Sequence, residues 1–513
     1  MGEITIREAG YRSSAAVAKK QEPSPKTMRV LFVAAEADPI IKVGGLGDVT
    51  GTLPREIRAL EPSMTSGYRM DVRLAIPYHS AIRKRMPDLQ PVVSFNVPHP
   101  GGPIPARAFL TQVGELPVYM IDGAPIPQDA PVYSLDASED GEKFTFFSLA
   151  VLELARALDW PPDILHANDW HTALAVYALA LRRSQEQDPF FANTRTMLSV
   201  HNLPFMGAGT DEAMEDYGIP PLDDDRLPTW GGYQPLPMGL AAADYLTTVS
   251  PTYAREILTP EFGCGLENFL QSRSDTIAGI LNGLDMNLWD PHTDTALAAN
   301  YDAETLDKRL ANKQALIHEF GLPANLDLPL LVMVTRMDRQ KGVDLAIEGL
   351  RDIAGTPWQA ILLGSGDPGL EAAARNLEAE FPYRVRTITR FDPQLARRLY
   401  GGGDMLLMPS RYEPGGLAQM IAMRYGCIPV VRATGGLRDT VKDNPNPEGN
   451  TGFRFDEESP EALAAAVRRG ITAYAEPKTW QERQLNGMAQ DFSWQRSALA
   501  YVKIYQQLIE TKI

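Results

Sequence analysis

From about residue 329 the chain repeats one unit, a short run of apolar residues followed by a helix-length segment. The runs fall at Leu330 to Val334, Ala360 to Leu363, Val385 to Ile388, Met405 to Met408 and Pro429 to Val431. Runs this short and continuous suit strands covered on both faces, and strands that alternate with helices build parallel sheets. A looser form of the rhythm fills the first half, with runs at Val72 to Ile76, Ile164 to His166, Met197 to Val200 and Tyr245 to Val249, and helical patterns at Phe144 to Leu158 and Ala173 to Arg182. The pattern predicts an α/β chain with two parallel sheets. Ligands of such folds sit at the carboxyl ends of strands, so two units facing across a cleft would aim both sets of strand-end loops at one substrate.

A length of 513 residues fits two or three domains. Residues 1–27 mix Ser, Ala, Lys, Glu and Pro without apolar periodicity and match no signal, transit or myristoylation pattern; they are expected to form a mobile tail. At Met28 the character changes: Met28 to Ala37 reads as a strand feeding a glycine loop, Lys42 to Asp48. A helix with Val49, Leu53, Ile57 and Leu60 on one face follows, with Pro54 either kinking it or sitting in its first turn. Lys and Arg number 49 against 65 Asp and Glu, a net charge of −16, and no basic tract follows a nucleic-acid backbone, so nucleic acid is excluded as the main partner. The apolar runs are far shorter than the ~18 residues of a membrane span. Two cysteines, Cys264 and Cys427, leave no disulfide framework and fit a reducing compartment.

Several strand-end segments carry groups suited to an anionic ligand. The glycine loop with Lys42 could cradle a phosphate, although it fits neither the dinucleotide fingerprint nor the Walker pattern. Pro409 to Gly416 follows the Met405 to Met408 run and opens a helix with Leu417, Met420 and Ile421 on its apolar face, which puts Glu413 beside a helix N-terminus. Thr434-Gly435-Gly436 repeats that arrangement after the next strand, so two positive dipole ends could hold one diphosphate. Arg336 ends the Leu330 to Val334 run and Lys341 lies five residues on, a fork and an ammonium suited to a leaving diphosphate. Spacing alone leaves structural roles open: an N-cap or loop brace for Glu413, a surface ion pair for Arg336 and Lys341. Three of the seven histidines cluster in His166-Ala167-Asn168-Asp169-Trp170-His171 and His201-Asn202, without the i, i+4 spacing or thiolates that would favour zinc. Asp223-Asp224-Asp225 sits in a Pro-rich loop and is expected to be solvated.

Eight segments in order carry a resemblance: KVGGLGDVTGTLP at 42–54, HANDWH at 166–171, SVHNLPFMG at 199–207, TTVSPTYAREI at 247–257, NGLDMNLWDPHTD at 282–294, TRMDRQKGVDL at 335–345, PSRYEPGGLAQMIAMRYG at 409–426 and RATGGLRDTV at 432–441. With them the chain resembles the bacterial-type glycogen synthases and their starch synthase relatives. The resemblance implies a GT-B fold of two facing Rossmann-like domains, 28–285 on the acceptor side and 286–495 on the nucleotide-sugar side, with residues 496–513 forming a helix that returns to the first. It implies a cytoplasmic enzyme that moves glucose from ADP-glucose or UDP-glucose to the non-reducing end of an α-1,4-glucan, glycogen or a maltooligosaccharide. Configuration is expected to be retained, with no cofactor, metal or membrane. Carried over position by position, Glu413, Arg336, Lys341, His201 and Asp169 are expected at the chemistry. Arg336 and Lys341 would neutralise the diphosphate, and Lys42, Gly44 and Gly45 would approach it from the opposite domain. Glu413 and the amides of Gly415, Gly416 and Leu417 would hold the glucose, with Thr434, Gly435 and Gly436 close to the donor. Asn202 and Asn282 would shape the sugar side, and Phe391 would stack on the nucleobase. The resemblance departs at Gly415 and Ala418, where many relatives carry Cys and a hydroxyl residue, changes that leave backbone donors intact. Cations at one end of the sugar diphosphate and a carboxylate at the other would stabilise the charge that develops as the anomeric C–O bond breaks. The alternatives are a retaining glycosyltransferase with a small acceptor, or a catalytically silent protein that binds glucan or nucleotide sugar.

Overall fold

The computed structural model describes residues 25–186, 188–446 and 448–510. The expected tail lies outside the described residues except for its last three positions, and of these Lys26 and Thr27 already belong to the first strand.

The first sheet contains β1 (Lys26–Val33), β2 (Tyr68–Pro77), β3 (Pro91–Val97), β4 (Ile104–Val113), β5 (Leu116–Gly123), β6 (Ile164–Asn168), β7 (Arg195–Val200), β8 (Tyr245–Thr248) and β9 (Ile277–Gly279) in the spatial order β3-β4-β5-β2-β1-β6-β7-β8-β9. The second contains β10 (Leu330–Val334), β11 (Gln359–Leu363), β12 (Val385–Ile388), β13 (Met405–Met408), β14 (Ile428–Arg432) and β15 (Phe453–Phe455) in the order β12-β11-β10-β13-β14-β15. All pairings in the second sheet are parallel. The first departs from the expectation, because β4 runs antiparallel to both β3 and β5. Only Gly114 and Glu115 join β4 to β5, with Gly114 at φ +61°, a link too short for a parallel crossover. β3 alternates between exposed and covered positions, so it lacks the continuous apolar run that marks its buried neighbours.

Strand order fixes where a ligand can sit. The chain leaves β1 in one direction to β2 and later returns to β6 on its other side; β10 stands in the same relation to β11 and β13. Each sheet thus has one switch point at which neighbouring strand-end loops diverge and open a crevice. The glycine loop and Asp169 flank the first, and Arg336 and Glu413 flank the second. Helix Gly45–Ala59 runs through Pro54 rather than starting at it.

The last helix, Trp494–Glu510, crosses from the second sheet to the first. Its Trp494, Ala498, Tyr501, Tyr505 and Leu508 share a core with Val30, Phe32, Leu53 and Ile57. Tyr505 is fully buried, and its hydroxyl lies 2.6 Å from His166 Nδ1, whose Nε2 lies 2.7 Å from Ser199 Oγ. This chain ties the end of the polypeptide to the strand that presents Asp169. Tyr505→Ala should lower stability by about 3–5 kcal/mol through the lost ring. Tyr505→Phe should cost about 1–3 kcal/mol by leaving a buried imidazole nitrogen unpaired. Urea unfolding of both variants checks the ranking.

Candidate active site

A cavity of about 700 Å³ lies between the two sheets, lined by the loops at both switch points. On the first wall the glycine loop contributes Gly44 and Gly45. Its amides are already engaged: the Glu36 carboxylate, 1% exposed, accepts from Val43 N–H and from Gly44 N–H at 3.3 Å, and from the Tyr133 hydroxyl at 3.2 Å. Burial raises the Glu36 pKa above the usual carboxylate value, and these bonds pull it partly back. The expected phosphate cradle therefore holds a carboxylate of the chain itself. Lys42 does not line the cavity; its ammonium lies 2.5 Å from Asp48 in the first turn of the following helix, which draws it aside.

The β6 end supplies Asn168 and Asp169. Asp169 takes φ +56°, uncommon for a residue with a side chain, and its carboxylate accepts from His201 N–H at 2.6 Å and Asn202 N–H at 3.4 Å. Burial pushes its pKa up to about 7, against the opposing pull of those two amides. His201 Nε2 lies 2.9 Å from Asn168 Oδ1, and burial lowers its pKa to about 4, so it is a neutral imidazole near pH 7. His171 is lowered to about 3 by burial and by the nearby Lys143. His171 Nδ1, Asn202 Oδ1 and Asn282 Oδ1 are buried without a hydrogen-bond partner in the protein, and all three residues line the cavity. Orphaned polar atoms are costly, and a hydroxyl-rich ligand would satisfy them.

The second wall is built by β10 and β13, which are hydrogen-bonded neighbours, so their end loops meet. Glu413 is 5% exposed; Lys341 Nζ stands 2.7 Å from each of its oxygens, and Ser410 Oγ donates to Oε2 at 2.9 Å. Adjacent strand ends bring Lys341 and Glu413 into one ion pair, a contact that the sequence did not show. Arg336 keeps a free reach: its side chain is 69% exposed and pairs with Asp338 of its own loop at 3.3 Å. Gly415, Gly416, Leu417 and Ala418 complete this wall.

Four other expected donor residues stand off the cavity. Thr434, Gly435 and Gly436 lie behind the Glu413 loop, where a Cβ on Gly436 would come 1.8 Å from the Gly415 carbonyl oxygen. Thr434 Oγ1 and Gly435 N–H both donate to Glu256 Oε1 at 3.0 Å. Phe391 is 85% exposed on the loop after β12, an edge strand two places from β10, and does not reach the lining. In contrast, Glu36, Tyr133, Trp170, His171 and Phe205 line the cavity without having been assigned. Glu36 had a readable signal, an acidic residue inside the apolar run that leads to the glycine loop. Tyr133 and Phe205 lie in irregular segments without periodicity. Among the described residues no group of three or more His, Cys, Asp or Glu side chains is placed to hold a metal ion, and no helix is long and apolar enough to cross a membrane. Asp223 and Asp225 are exposed and Asp224 pairs with Arg226 at 2.6 Å, as expected of a solvated loop.

Comparison with known proteins adds an independent line. Residues 29–272 match the family model described as starch synthase catalytic domain, and residues 317–485 match that of glycosyl transferases group 1. A glycogen synthase of Syntrophotalea carbinolica is 39% identical over 491 residues, 94% of this chain and 99% of that protein. One from Anaeromyxobacter dehalogenans is 40% identical over 488 residues, covering 94% and 100%. Among solved structures, the catalytic domain of starch synthase IV from Arabidopsis thaliana, bound to ADP and acarbose, superposes with a TM-score of 0.82 at 30% identity over 95% of this chain and all of that one. Sucrose-phosphate synthase from Thermosynechococcus elongatus, at 19% identity and a TM-score of 0.58, shares the fold.

Two measurements check the electrostatics. With a folded pKa of about 7 against 3.8, Asp169 in the native state keeps a proton that the unfolded chain has released between those values. Its contribution to stability is therefore full below about pH 4 and fades as pH rises through 7. Asp169→Asn should gain on wild type by about 2 kcal/mol between pH 5 and pH 8 in urea unfolding; a flat difference would mean that Asp169 ionises like an exposed carboxylate. Lys341→Ala should cost about 3 kcal/mol by stranding a buried carboxylate, and adding Glu413→Gln should recover a large part of it.

Proposed function

We propose, for a chain that belongs to the glycogen and starch synthase family of glycosyltransferases, a division of labour across the interdomain cleft. The chain has the GT-B fold, and its reaction is glucosyl transfer to a glucan. In the proposed scheme the donor is ADP-glucose, the acceptor is the non-reducing end of an α-1,4-glucan, and configuration is retained. The Arabidopsis relative, described with ADP and acarbose, supports that choice of donor. Arg336, with its exposed guanidinium, swings onto the diphosphate. Lys341, already held by Glu413, shares its ammonium with the departing phosphate, so that part of the charge is in place before the bond breaks. Glu413 and the amides from Gly415 to Leu417 hold the glucose, and Asp169, His201, Asn202 and Asn282 face it from the other wall. Phe391 reaches the base only once the donor is bound. No metal or cofactor enters this scheme, and its setting is the cytoplasm, in keeping with the free Cys264 and Cys427.

The observation that carries the reading is the convergence of Glu413, Lys341 and Arg336 with Asp169 and His201 on one cavity, although these residues come from opposite halves of the chain. Closing the cleft would expel water, which otherwise competes for the glucosyl group and turns transfer into hydrolysis. Purified protein given glycogen should release nucleoside diphosphate and lengthen the glucan, with a higher kcat/KM for ADP-glucose than for UDP-glucose. Folded protein that releases none from either donor refutes the assignment. Glu413→Ala should lower kcat by on the order of 10² if the carboxylate acts on the transition state. A wild-type rate would reduce Glu413 to a brace for its loop.

A further inference from the structure

The two halves of the chain touch behind the cleft through two short helices that cap one another. Helix Pro251–Glu256 follows β8 of the first sheet, and helix Gly435–Thr440 follows β14 of the second. Glu256, the last residue of the former, places its carboxylate on the first turn of the latter: Oε1 accepts from Thr434 Oγ1 and Gly435 N–H, both at 3.0 Å. Asp439 returns the contact, accepting from Thr252 N–H and Thr252 Oγ1, each at 2.7 Å, in the first turn of the other helix. Between them Ser250 Oγ donates to the Pro414 carbonyl at 2.6 Å. Each carboxylate satisfies amides that a helix N-terminus leaves unpaired, and each favours the dipole it faces. Thr252, Thr434 and Ser250 are at most 5% exposed, so these bonds are largely shielded from competing water.

This joint bears directly on the carboxylate in the cleft. Gly436 N–H donates to the Glu413 carbonyl at 3.0 Å. Hypothetical Cβ atoms on Gly435 and Gly436 would fall 2.1 Å from the Glu413 carbonyl oxygen and 1.8 Å from that of Gly415. Helix Gly435–Thr440 therefore rests on the backbone of the Glu413 loop without slack, and a shift of that helix displaces the loop. On its other side the loop meets the first half again, since a Cβ on Gly415 would lie 3.0 Å from Asn282 Nδ2 and 3.3 Å from Val249 Cγ2. Arg336, by contrast, makes its one ion pair among the described residues with Asp338 of the second half.

We propose that Glu256 and Asp439 are positioning residues: their reciprocal capping locks the Glu413 loop to the first half of the chain, so that Glu413 keeps its place relative to Asp169 and Asn282 while the rest of the second half moves. The proposal rests on the glucosyl-transfer reading and adds to it the part that sets the register between the two walls. Misplacing a reacting group by about 1 Å costs on the order of 10²-fold in rate; donor affinity is affected less, because Lys341 and the glucose-holding amides share the Glu413 loop but Arg336 stands apart from it.

The test is steady-state kinetics of the full chain with glycogen and ADP-glucose. Glu256→Gln and Asp439→Asn are each expected to lower kcat by on the order of 10-fold, with a clearly smaller rise in donor KM. The double variant should fall by much less than the product of the two, because both act through one joint. A wild-type kcat in either variant overturns the proposal. So does a donor KM that rises by as large a factor as kcat falls, or a loss of kcat that follows the fraction of protein unfolded in circular dichroism. If both variants fail to fold, Thr252→Ala, which keeps both carboxylates, must show the same kcat-selective loss in smaller measure, and a wild-type rate there is equally fatal. A wild-type chain that transfers no glucose would instead refute the underlying activity, an outcome separate from these.

Discussion

Lys341 and Glu413 form an ion pair in the lining of the cleft, and the strand order of the second sheet brings it about. The pair exists because β10 and β13 are direct neighbours, which puts the loop carrying Lys341 beside the loop carrying Glu413. Taking two charges out of water is costly, and their attraction offsets that cost only if the remaining hydrogen-bonding capacity is used. Here Ser410 supplies one further donor to the carboxylate, and Lys341 keeps 18% of its side chain exposed toward the cavity. The arrangement favours function over stability. A carboxylate held at fixed distance from an ammonium is preorganised for a reaction in which negative charge appears on one partner's side and positive charge on the other's.

The parallel core was legible because strands buried on both faces need continuous apolar runs. β10, β12 and β13 begin and end where those runs do. The β3 to β5 ribbon was not legible for the converse reason, since one of its faces is partly solvated and its tight turn carries no apolar signal. In the site, Glu413, Arg336, Asp169 and His201 could be singled out because each sits one to five residues past a readable strand. Side-chain partners could not. That Lys42 turns to Asp48, and that Glu256 takes the amides of Gly435, depends on contacts between residues whose separation in sequence says nothing about distance.

Both glycine-rich loops that looked like phosphate cradles hold carboxylates of the chain itself, Glu36 at Val43 and Gly44, Glu256 at Thr434 and Gly435. Amides at a loop or helix start attract any anion, and an internal carboxylate reaches them without the loss of translational freedom that a ligand suffers. The two cases differ in consequence. Glu36 lies in the cavity lining and Glu256 does not, so a diphosphate approaching from the cleft meets the first carboxylate and not the second. In the Thr434 loop glycine therefore serves close packing of backbone on backbone, as the tight approach of Gly436 to Gly415 illustrates, whereas a Cβ on Gly45 of the first loop would meet nothing within 4 Å.

Charge balance bears on how the first wall meets an anionic ligand. The chain carries a net charge of −16, and the cavity lining contains Glu36, Asp140, Asp169 and Glu413 against Arg336 and Lys341. An anionic sugar diphosphate entering that space would be repelled if every carboxylate were ionised. Burial lifts Glu36 above the usual carboxylate value and Asp169 to about 7, so Asp169 takes up a proton at little cost near neutral pH as a further anion arrives. Lys341 neutralises Glu413 at contact distance, and Arg336 remains available to the ligand. Asp140 on the same wall is neutralised by the buried Lys143, whose ammonium lies 2.5 Å from it. The same desolvation that makes the site expensive to build thus lowers the repulsion that Asp169 would otherwise present to an anionic ligand.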